Sequence, residues 1–201
     1  MMRNEFTDRQ IEIMELASLI IDRDGIQELT IKNLAAEINL SEAALYRHFK
    51  SKSEIMLGLL DYFMLEMKDR VTTIAAKEGR TASQLLKDIF TSQLKIFAQK
   101  PAIVSVIFSE GIFQFNKELM KKISAMMEMM QGQIDAIVKR GQQEGSFRDF
   151  VGPSTVSTII MGSMRMAVMK WKVFGHSSDL VKDGTKVLNG VLKMIEKSNE
   201  N

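Results

Sequence analysis

Apolar residues recur every three or four positions along most of this chain, which is the spacing that places them on one face of an α-helix. In the first such segment, Thr7 and Gln10 have the spacing of a capping box. The apolar positions then continue until Asp24-Gly25, where glycine can end a helix. Strand-like alternation is rare and the chain contains only two prolines. The pattern therefore predicts an all-α protein.

Two short helices joined by a tight turn are predicted between residues 29 and 52. Thr30 is placed to cap a helix over residues 31–38, residues 39–41 make the turn, and the second helix covers residues 42–48. Such a pair is the pattern of a helix-turn-helix, whose second helix enters the DNA major groove. DNA is therefore the first candidate partner.

Six further helices are predicted in the remaining chain. They cover residues 51–78, 81–100, 102–115 with a break expected at Gly111, 117–143, 154–174 and 178–197. The first two begin at further capping-box spacings, Ser51 with Glu54 and Thr81 with Gln84. The first of these is long enough to link two regions mechanically, and no Gly/Ser/Pro-rich spacer interrupts it. We therefore expect a DNA-binding domain at residues 1–52 that continues into a linking helix at 52–78. An effector-binding and dimerisation domain is expected at residues 53–201.

Composition narrows the class of protein. The chain is 45% hydrophobic and 26% charged, which is typical of soluble globular proteins. It has no cysteine, which excludes a disulfide framework and suits a reducing cytoplasm. No apolar run approaches the roughly 18 residues of a membrane span, and the N-terminus does not have the pattern of a signal peptide. We expect a cytoplasmic protein without membrane contact.

The two histidines, His48 and His176, are far apart, and no metal-binding or nucleophilic constellation can be assigned. We therefore expect neither an enzyme nor a cofactor or metal site. Net charge is only +2, and residues 1–52 carry seven basic against nine acidic residues. The segment 43–52, however, contains Arg47, Lys50 and Lys52 and no acid. A focused basic edge of this kind suits docking to a DNA groove.

The segment from Leu29 to Ile55, LTIKNLAAEINLSEAALYRHFKSKSEI, resembles the TetR/AcrR family of transcriptional regulators. The matching positions are Thr30, Leu34-Ala35, Leu40-Ser41, Leu45-Tyr46, His48-Phe49 and Lys52. The rest of the chain resembles the family only in its layout. The resemblance implies nine helices, with a three-helix DNA-binding domain followed by an effector-binding domain.

The resemblance also implies which residues contact DNA. Phosphate contacts are implied for Thr30, Ser41, Tyr46, His48 and Lys52, and positions toward base edges for Glu42, Ala43, Ala44 and Arg47. Arg47 can read guanine through two hydrogen bonds. Glu42 departs from the polar or basic residue usual at its position, and it either accepts a hydrogen bond from cytosine N4 or points away from the DNA.

The sixteen methionines suggest a binding cavity, because methionine fills irregular spaces and adapts to varied partners. Each of these side chains alone is more simply a core residue, but together the Met and Phe residues favour an apolar cavity for a small hydrophobic effector. We expect it to be lined by Phe90, Phe97, Phe108, Phe113, Met126, Met130, Met164, Arg165 and Trp171. Arg165 has three possible roles: an ion pair with Glu110 or Glu128, contact with water at a dimer interface, or anchoring an anionic group.

The last two predicted helices combine glycines with spare apolar surface, which favours self-association into a four-helix bundle. The predicted interface residues are Val156, Ile160, Ala167, Leu188, Val191, Leu192 and Ile195. The predicted function is a homodimeric transcriptional regulator, a repressor that the effector releases from a pseudo-palindromic DNA operator. A transcriptional activator of the same fold and a ligand-free helical protein-interaction module are open alternatives.

Overall fold

The structure, a computed structural model, describes residues 6–108 and 116–197. Nine helices occur in these residues: α1 (Asp8–Asp24), α2 (Ile31–Glu37), α3 (Glu42–Tyr46), α4 (Lys52–Ala75), α5 (Ala82–Gln99), α6 (Pro101–Ile107), α7 (Lys117–Gln143), α8 (Pro153–Val173) and α9 (Leu180–Ile195). None of them combines the length and apolarity needed to cross a bilayer. Within the described residues, the prediction of an all-α protein with nine helices is confirmed.

Reciprocal hydrogen bonds begin two of the helices where the sequence predicts them. At the start of α1, Gln10 N donates to Thr7 Oγ1 at 3.2 Å and Thr7 N donates to Gln10 Oε1 at 3.0 Å. At the start of α5, Gln84 N donates to Thr81 Oγ1 at 3.2 Å and Thr81 N donates to Gln84 Oε1 at 3.1 Å. Both capping boxes are complete, so each helix begins at a position set by local chemistry.

The start and end of α4 differ from the prediction in detail. Glu54 N donates to Ser51 Oγ at 3.1 Å, but the Glu54 carboxylate accepts from Lys50 N instead of from the capping residue. At the other end, Lys77 N donates to Ile74 O at 3.2 Å, a tighter three-residue turn that stops the helix before Glu78-Gly79. The helix therefore ends at Ala75.

The first compact unit comprises the chain through Leu65 together with Lys100–Ala125. In it α1 packs against α2 and α6, and α2 packs against α3. Its core contains Ile13, Met14, Ala17, Leu34, Ala35, Leu45 and Phe49, all buried. The helix α6 thus belongs with the helix-turn-helix, while a domain boundary at residue 52 stays a prediction. Gly111, where a helix break was expected, lies outside the described residues.

The second compact unit comprises Glu66–Gln99 and Met126–Asn201. In it α9 packs against both α5 and α8. The approach of α9 to α5 depends on Gly184, because a Cβ there would lie within 3.3 Å of Leu94 Cδ2 and closer still to its Cδ1. Asp179 caps α9 by accepting from Lys182 N at 3.0 Å. The α9 end is held in turn by Arg148 N, which donates to Ile195 O at 2.7 Å.

Gly141, near the end of α7, lies against the buried ring of Phe147. A Cβ at Gly141 would lie 2.9 Å from the Cβ of Ala82 and nearer still to that ring. We expect Gly141→Ala to lower the free energy of unfolding by about 1–3 kcal/mol, because the added methyl group overpacks this contact. Chemical denaturation followed by circular dichroism measures the change.

Gly132 supplies the matched control, since it lies on the same helix with nothing within 4 Å of an added Cβ. Gly132→Ala is expected to raise the free energy of unfolding by about 0.5–1 kcal/mol, because alanine favours the helix. Equal stability of the two variants would show that the contact between Gly141 and Phe147 is not tight.

Candidate nucleic-acid interface

The turn before α3 fixes the position of that helix. Asn39 has a left-handed backbone (φ 54°), a conformation that asparagine tolerates better than most residues. Leu40 N then donates back to Ala35 O at 2.9 Å, which closes the turn. Ser41 caps α3 by accepting from Ala44 N at 3.2 Å. The turn and the cap together set the direction in which the short helix leaves α2.

The two sides of α3 differ in exposure. Leu45 and, just beyond the helix, Phe49 are fully buried in the first unit. The residues that face solvent are Glu42, Ala43, Tyr46 and Arg47, and Tyr46 exposes 47% of its surface. Ala44 is only 9% exposed and lies on the buried side. Its predicted position toward base edges is therefore corrected: its small methyl group packs within the unit.

Two hydroxyls combine capping with a remaining donor. Thr30 Oγ1 accepts from Asn33 N at 3.0 Å, and Ser41 Oγ accepts from Ala44 N at 3.2 Å. Both side chains are exposed. A hydroxyl that accepts a backbone N–H still has its own O–H to donate. Each residue can therefore hold the start of a helix and donate to a phosphate oxygen at the same time.

Lys52 has a role that sequence reasoning missed. Its Nζ donates to Ile26 O at 2.6 Å, so the first residue of α4 is tied to the loop between α1 and α2. Burial lowers the pKa of this ammonium, while the negative charge of Glu28 opposes the shift. An ammonium has three donors. One is used inside the unit, and two remain for the predicted phosphate contact.

The charges around α3 are partly arranged for an anionic partner. Arg47 and Lys50 are exposed, and His48 is half-buried with its carbonyl accepting from Gln10 Nε2 at 3.4 Å. The carboxylate of Glu54 lies at this edge because it accepts from Lys50 N, and sequence spacing gave no sign of that contact. The predicted edge is therefore basic but not free of acid.

The predicted effector-pocket residues are divided by the structure. Phe90, Phe97, Met126 and Met130 are buried in the second unit. Phe108 and Met164 are partly exposed and Arg165 is exposed, whereas Phe113 and Glu110 lie outside the described residues. An exposed side chain such as Arg165 does not suit the lining of an interior cavity. That assignment is corrected, and the others stay predictions.

Trp171 forms part of the corner between α8 and α9. Its indole Nε1 donates to Ser178 O at 3.1 Å, and its ring lies 4.1 Å from the ring of His176. His176 has a left-handed backbone (φ 60°) that turns the chain between the helices. These contacts give Trp171 a structural role within the second unit.

A surface groove of about 650 Å³ runs along α9. It is lined by Asp179, Val181, Lys182, Thr185, Lys186, Asn189, Gly190 and Lys193. All of these residues belong to one helix or its cap, so the groove is an open surface and not an enclosed cavity. It contains none of the predicted pocket residues.

The predicted self-association residues are mostly core residues of their own chain. Val156, Ile160, Leu188, Val191 and Leu192 are buried in the second unit, while Ala167 and Ile195 are partly exposed. For the five buried residues the prediction is corrected. The α8 sequence carries two apolar stripes, and helical spacing alone does not decide which of them faces inward.

The second stripe of α8 is the exposed one. It consists of Ile159, Met166, Met169 and Val173. Met166 exposes 63% and Val173 74% of their surface, and Val187 and Met194 add exposed apolar area on α9. An exposed apolar face of this kind typically marks an interaction site.

The helix α3 follows a tight turn, is capped by Ser41, is buried on one side and exposed on the other, and lies beside a basic edge. This is the arrangement of a helix-turn-helix DNA-binding protein. Two family models match the sequence. One describes bacterial regulatory proteins of the tetR family and covers residues 13–59; the other describes the C-terminal region of YsiA-like proteins and covers residues 60–194. The chain belongs to the tetR family of bacterial regulatory proteins.

Three individual proteins that resemble this chain share less than a third of its residues. The nucleoid occlusion factor SlmA of Photobacterium profundum is 28% identical over 145 residues, which cover 71% of this chain and 73% of that protein. The fatty acid degradation regulator FadR of Bacillus halodurans superposes with a TM-score of 0.83 at 19% identity, covering 94% of this chain and 97% of the other. FadR of Bacillus subtilis, solved with stearoyl-CoA, superposes with a TM-score of 0.78 at 21% identity, covering 90% of this chain and 97% of the other.

Ser41 allows the capping role to be separated from DNA contact. Ser41→Ala is expected to lower the free energy of unfolding by about 1 kcal/mol, because α3 loses its cap. Ser41→Asp keeps a capping oxygen and therefore the stability, but its carboxylate repels phosphates and should weaken DNA binding. Chemical denaturation and fluorescence anisotropy with labelled DNA measure the two effects.

Ser178→Asp is the control, because it makes the same charge change at an exposed residue of the other unit. It should leave DNA affinity unchanged. If Ser41→Asp binds DNA as well as the wild type does, Ser41 does not lie against a phosphate.

Proposed function

We propose that this protein is a homodimeric transcriptional repressor that binds a pseudo-palindromic operator and is released by a small hydrophobic effector. Each protomer inserts α3 into the major groove of one half-site. Base contacts come from Arg47, with Glu42 and Ala43 beside it, and phosphate contacts from Thr30, Ser41, Tyr46, His48 and Lys52. Family membership supports DNA binding, while these finer assignments are the proposal.

The exposed side of α3 is the observation that carries the proposal. Tyr46 and Arg47 are exposed although Leu45, between Ala44 and Tyr46, is completely buried. An aromatic residue exposed to this extent beside an arginine is suited to a partner with both phosphates and base edges. Packing against the chain's own core does not explain why Tyr46 and Arg47 are exposed.

Operator binding tests the assigned contacts. Genomic fragments flanking the coding sequence serve as DNA in a gel shift with non-specific competitor. The variant Tyr46→Phe/Lys52→Ala should weaken binding to all bound sequences alike, and the loss of the Lys52 contact should reduce the salt slope by about 1. Arg47→Ala should lose about 1–3 kcal/mol on the operator and relax its sequence preference.

Lys139→Ala is the control, because Lys139 is an exposed lysine of α7 in the second unit. Operator affinity that is unchanged in both test variants at fixed salt excludes the assigned contacts. No shifted fragment for the wild type favours the alternative of a helical protein-interaction module.

The exposed stripe on α8 supports the homodimer. Paired across a two-fold axis, α8 and α9 of two protomers would form a four-helix bundle and cover Ile159, Met166, Met169 and Val173. Gly162, on the same exposed side, has nothing within 4 Å of an added Cβ. A glycine in an open helix position destabilises the helix. At Gly162, the absence of a side chain would allow a helix of the second protomer to approach closely.

Met166→Glu is expected to convert the dimer to a monomer at micromolar concentration, because a carboxylate would be buried in the apolar interface. Size-exclusion chromatography with light scattering measures the mass. Met127→Glu is the control, since Met127 is a similarly exposed methionine on α7. A wild type that is monomeric at these concentrations, or a dimeric Met166→Glu variant, contradicts the proposed interface.

The effector assignment rests on buried side chains in the second unit. Phe90, Phe97, Met126 and Met130 supply large apolar surfaces on α5 and α7. The structurally similar FadR of Bacillus subtilis was solved with stearoyl-CoA, a ligand with a long apolar chain. The effector must bind the state that does not fit the operator better than the state that does, since equal affinity for both shifts nothing.

A further inference from the structure

A polar pair lies between α4 and α5 within the second unit. Arg70 Nη2, on α4, donates to Gln93 Oε1, on α5, at 2.7 Å. Gln93 is only 2% exposed, and Arg70 is half-buried. The positively charged guanidinium of Arg70 therefore donates to the neutral side-chain amide of Gln93 inside the unit.

Buried apolar residues lie one helical turn to either side of this pair; they are Met67 and Ile74 on α4 and Ile89, Phe90 and Phe97 on α5. Glu66 and Thr73 of α4 also lie one turn from Arg70. Residues three or four apart lie on the same helix face. The polar pair thus has buried apolar side chains beside it on both helices, including Phe90 and Phe97 of the proposed effector pocket.

The pair leaves one donor unsatisfied. Arg70 Nε is buried and has no hydrogen-bond partner. Burial lowers the pKa of the guanidinium, and the charge of Glu66 opposes that shift. Among the described residues, the ion pairs do not include Arg70. A half-buried cation with a buried, unused donor is costly unless an anion accepts from it.

Arg80, in the same unit, also has a buried Nε without a hydrogen-bond partner, but its charge is balanced by a carboxylate. Its Nη2 donates to Asp88 Oδ2 at 2.7 Å, and Lys77 Nζ lies 3.6 Å from the same oxygen. The hydrogen bond from Arg80 lowers the pKa of Asp88. Arg80 is therefore paired with a carboxylate of its own chain, whereas Arg70 hydrogen-bonds to an amide oxygen and is influenced by the charge of Glu66.

We propose that Arg70 and Gln93 form the polar end of the effector site and bind the carboxylate of an otherwise apolar effector. The inference rests on the effector-binding function proposed above. Nε and Nη2 of an arginine form one edge that donates two parallel hydrogen bonds to a carboxylate. In Arg70 this is the edge with the unused donor, and Gln93 Oε1 occupies part of it.

The amide of Gln93 makes the site adaptable. Rotation of its side-chain amide by half a turn exchanges the carbonyl oxygen for the NH₂ group, so the residue changes from acceptor to donor. Without ligand it caps the arginine; with a carboxylate it adds a third hydrogen bond. The apolar part of the effector then lies along the buried side chains of α4 and α5. A cationic effector is disfavoured by the charge of Arg70.

Decanoate and decan-1-ol test the inference, because they share an apolar chain and differ in the charged group. Calorimetric titration of the full chain should show decanoate binding at least about tenfold more tightly than the alcohol, the gain expected of a charge-assisted hydrogen bond. Arg70→Met should bring the two affinities to within about threefold by weakening decanoate only. Arg70→Lys should keep part of the preference, since it retains the charge without the fork.

Arg80→Met is the matched control and should leave the preference for decanoate intact. Equal binding of the two probes by the wild type, or a parallel loss of both in Arg70→Met, assigns Arg70 a purely structural role and overturns the inference. If Arg70→Met does not fold, Arg70→Lys decides it: an unchanged ratio of affinities overturns the inference. Binding of neither probe rejects the anion site, while operator binding tests the DNA-binding function separately.

Discussion

A helix of five residues cannot hold its shape alone in water, and the DNA-binding side of this protein depends on one. Isolated helices shorter than about 12–15 residues are marginal even with favourable sequences. The conformation of α3 therefore comes from its surroundings: the Ser41 cap, the burial of Leu45 and Phe49, and α1. Gln10 begins α1 through a capping box, and its side-chain nitrogen also donates to the carbonyl of His48. Order at the start of α1 is thereby connected to order at the end of the DNA-facing segment.

The second unit joins the proposed effector site to the exposed apolar stripe through direct packing. The helix α5, which carries Gln93, packs against α9. The close approach at Gly184 leaves little room for one helix to move without the other. The helix α9 in turn packs against α8, which carries the stripe. A ligand that displaces α5 would therefore act on the helices proposed to form the dimer, because close-packed interiors transmit small shifts.

Local chemistry made the starts of α1 and α5 predictable, and most of the missing information concerned contacts between residues distant in sequence. Thr7 and Thr81 begin helices through neighbours three positions away, which a sequence displays directly. The inward side of α8 is different, because both of its stripes have helical spacing and only packing against α5 and α9 selects Val156 and Ile160 for the core.

The polar contacts were equally hidden from the sequence. Lys52 lies in the family pattern as a phosphate ligand, and nothing near it in sequence indicates the bond to Ile26 O. Arg70 follows Lys68-Asp69, a stretch that looks like an ordinary solvent-exposed turn of a helix. Its burial becomes visible only when Gln93, on another helix, is placed beside it.

The single tryptophan gives the second unit its own optical signal. Trp171 is fixed at the α8–α9 corner by the bond to Ser178 O and by the nearby ring of His176. Its fluorescence therefore reports on that corner, whereas far-ultraviolet circular dichroism reports on the helices of both units together. A denaturation followed by both signals resolves whether the two units unfold as one cooperative system or in sequence.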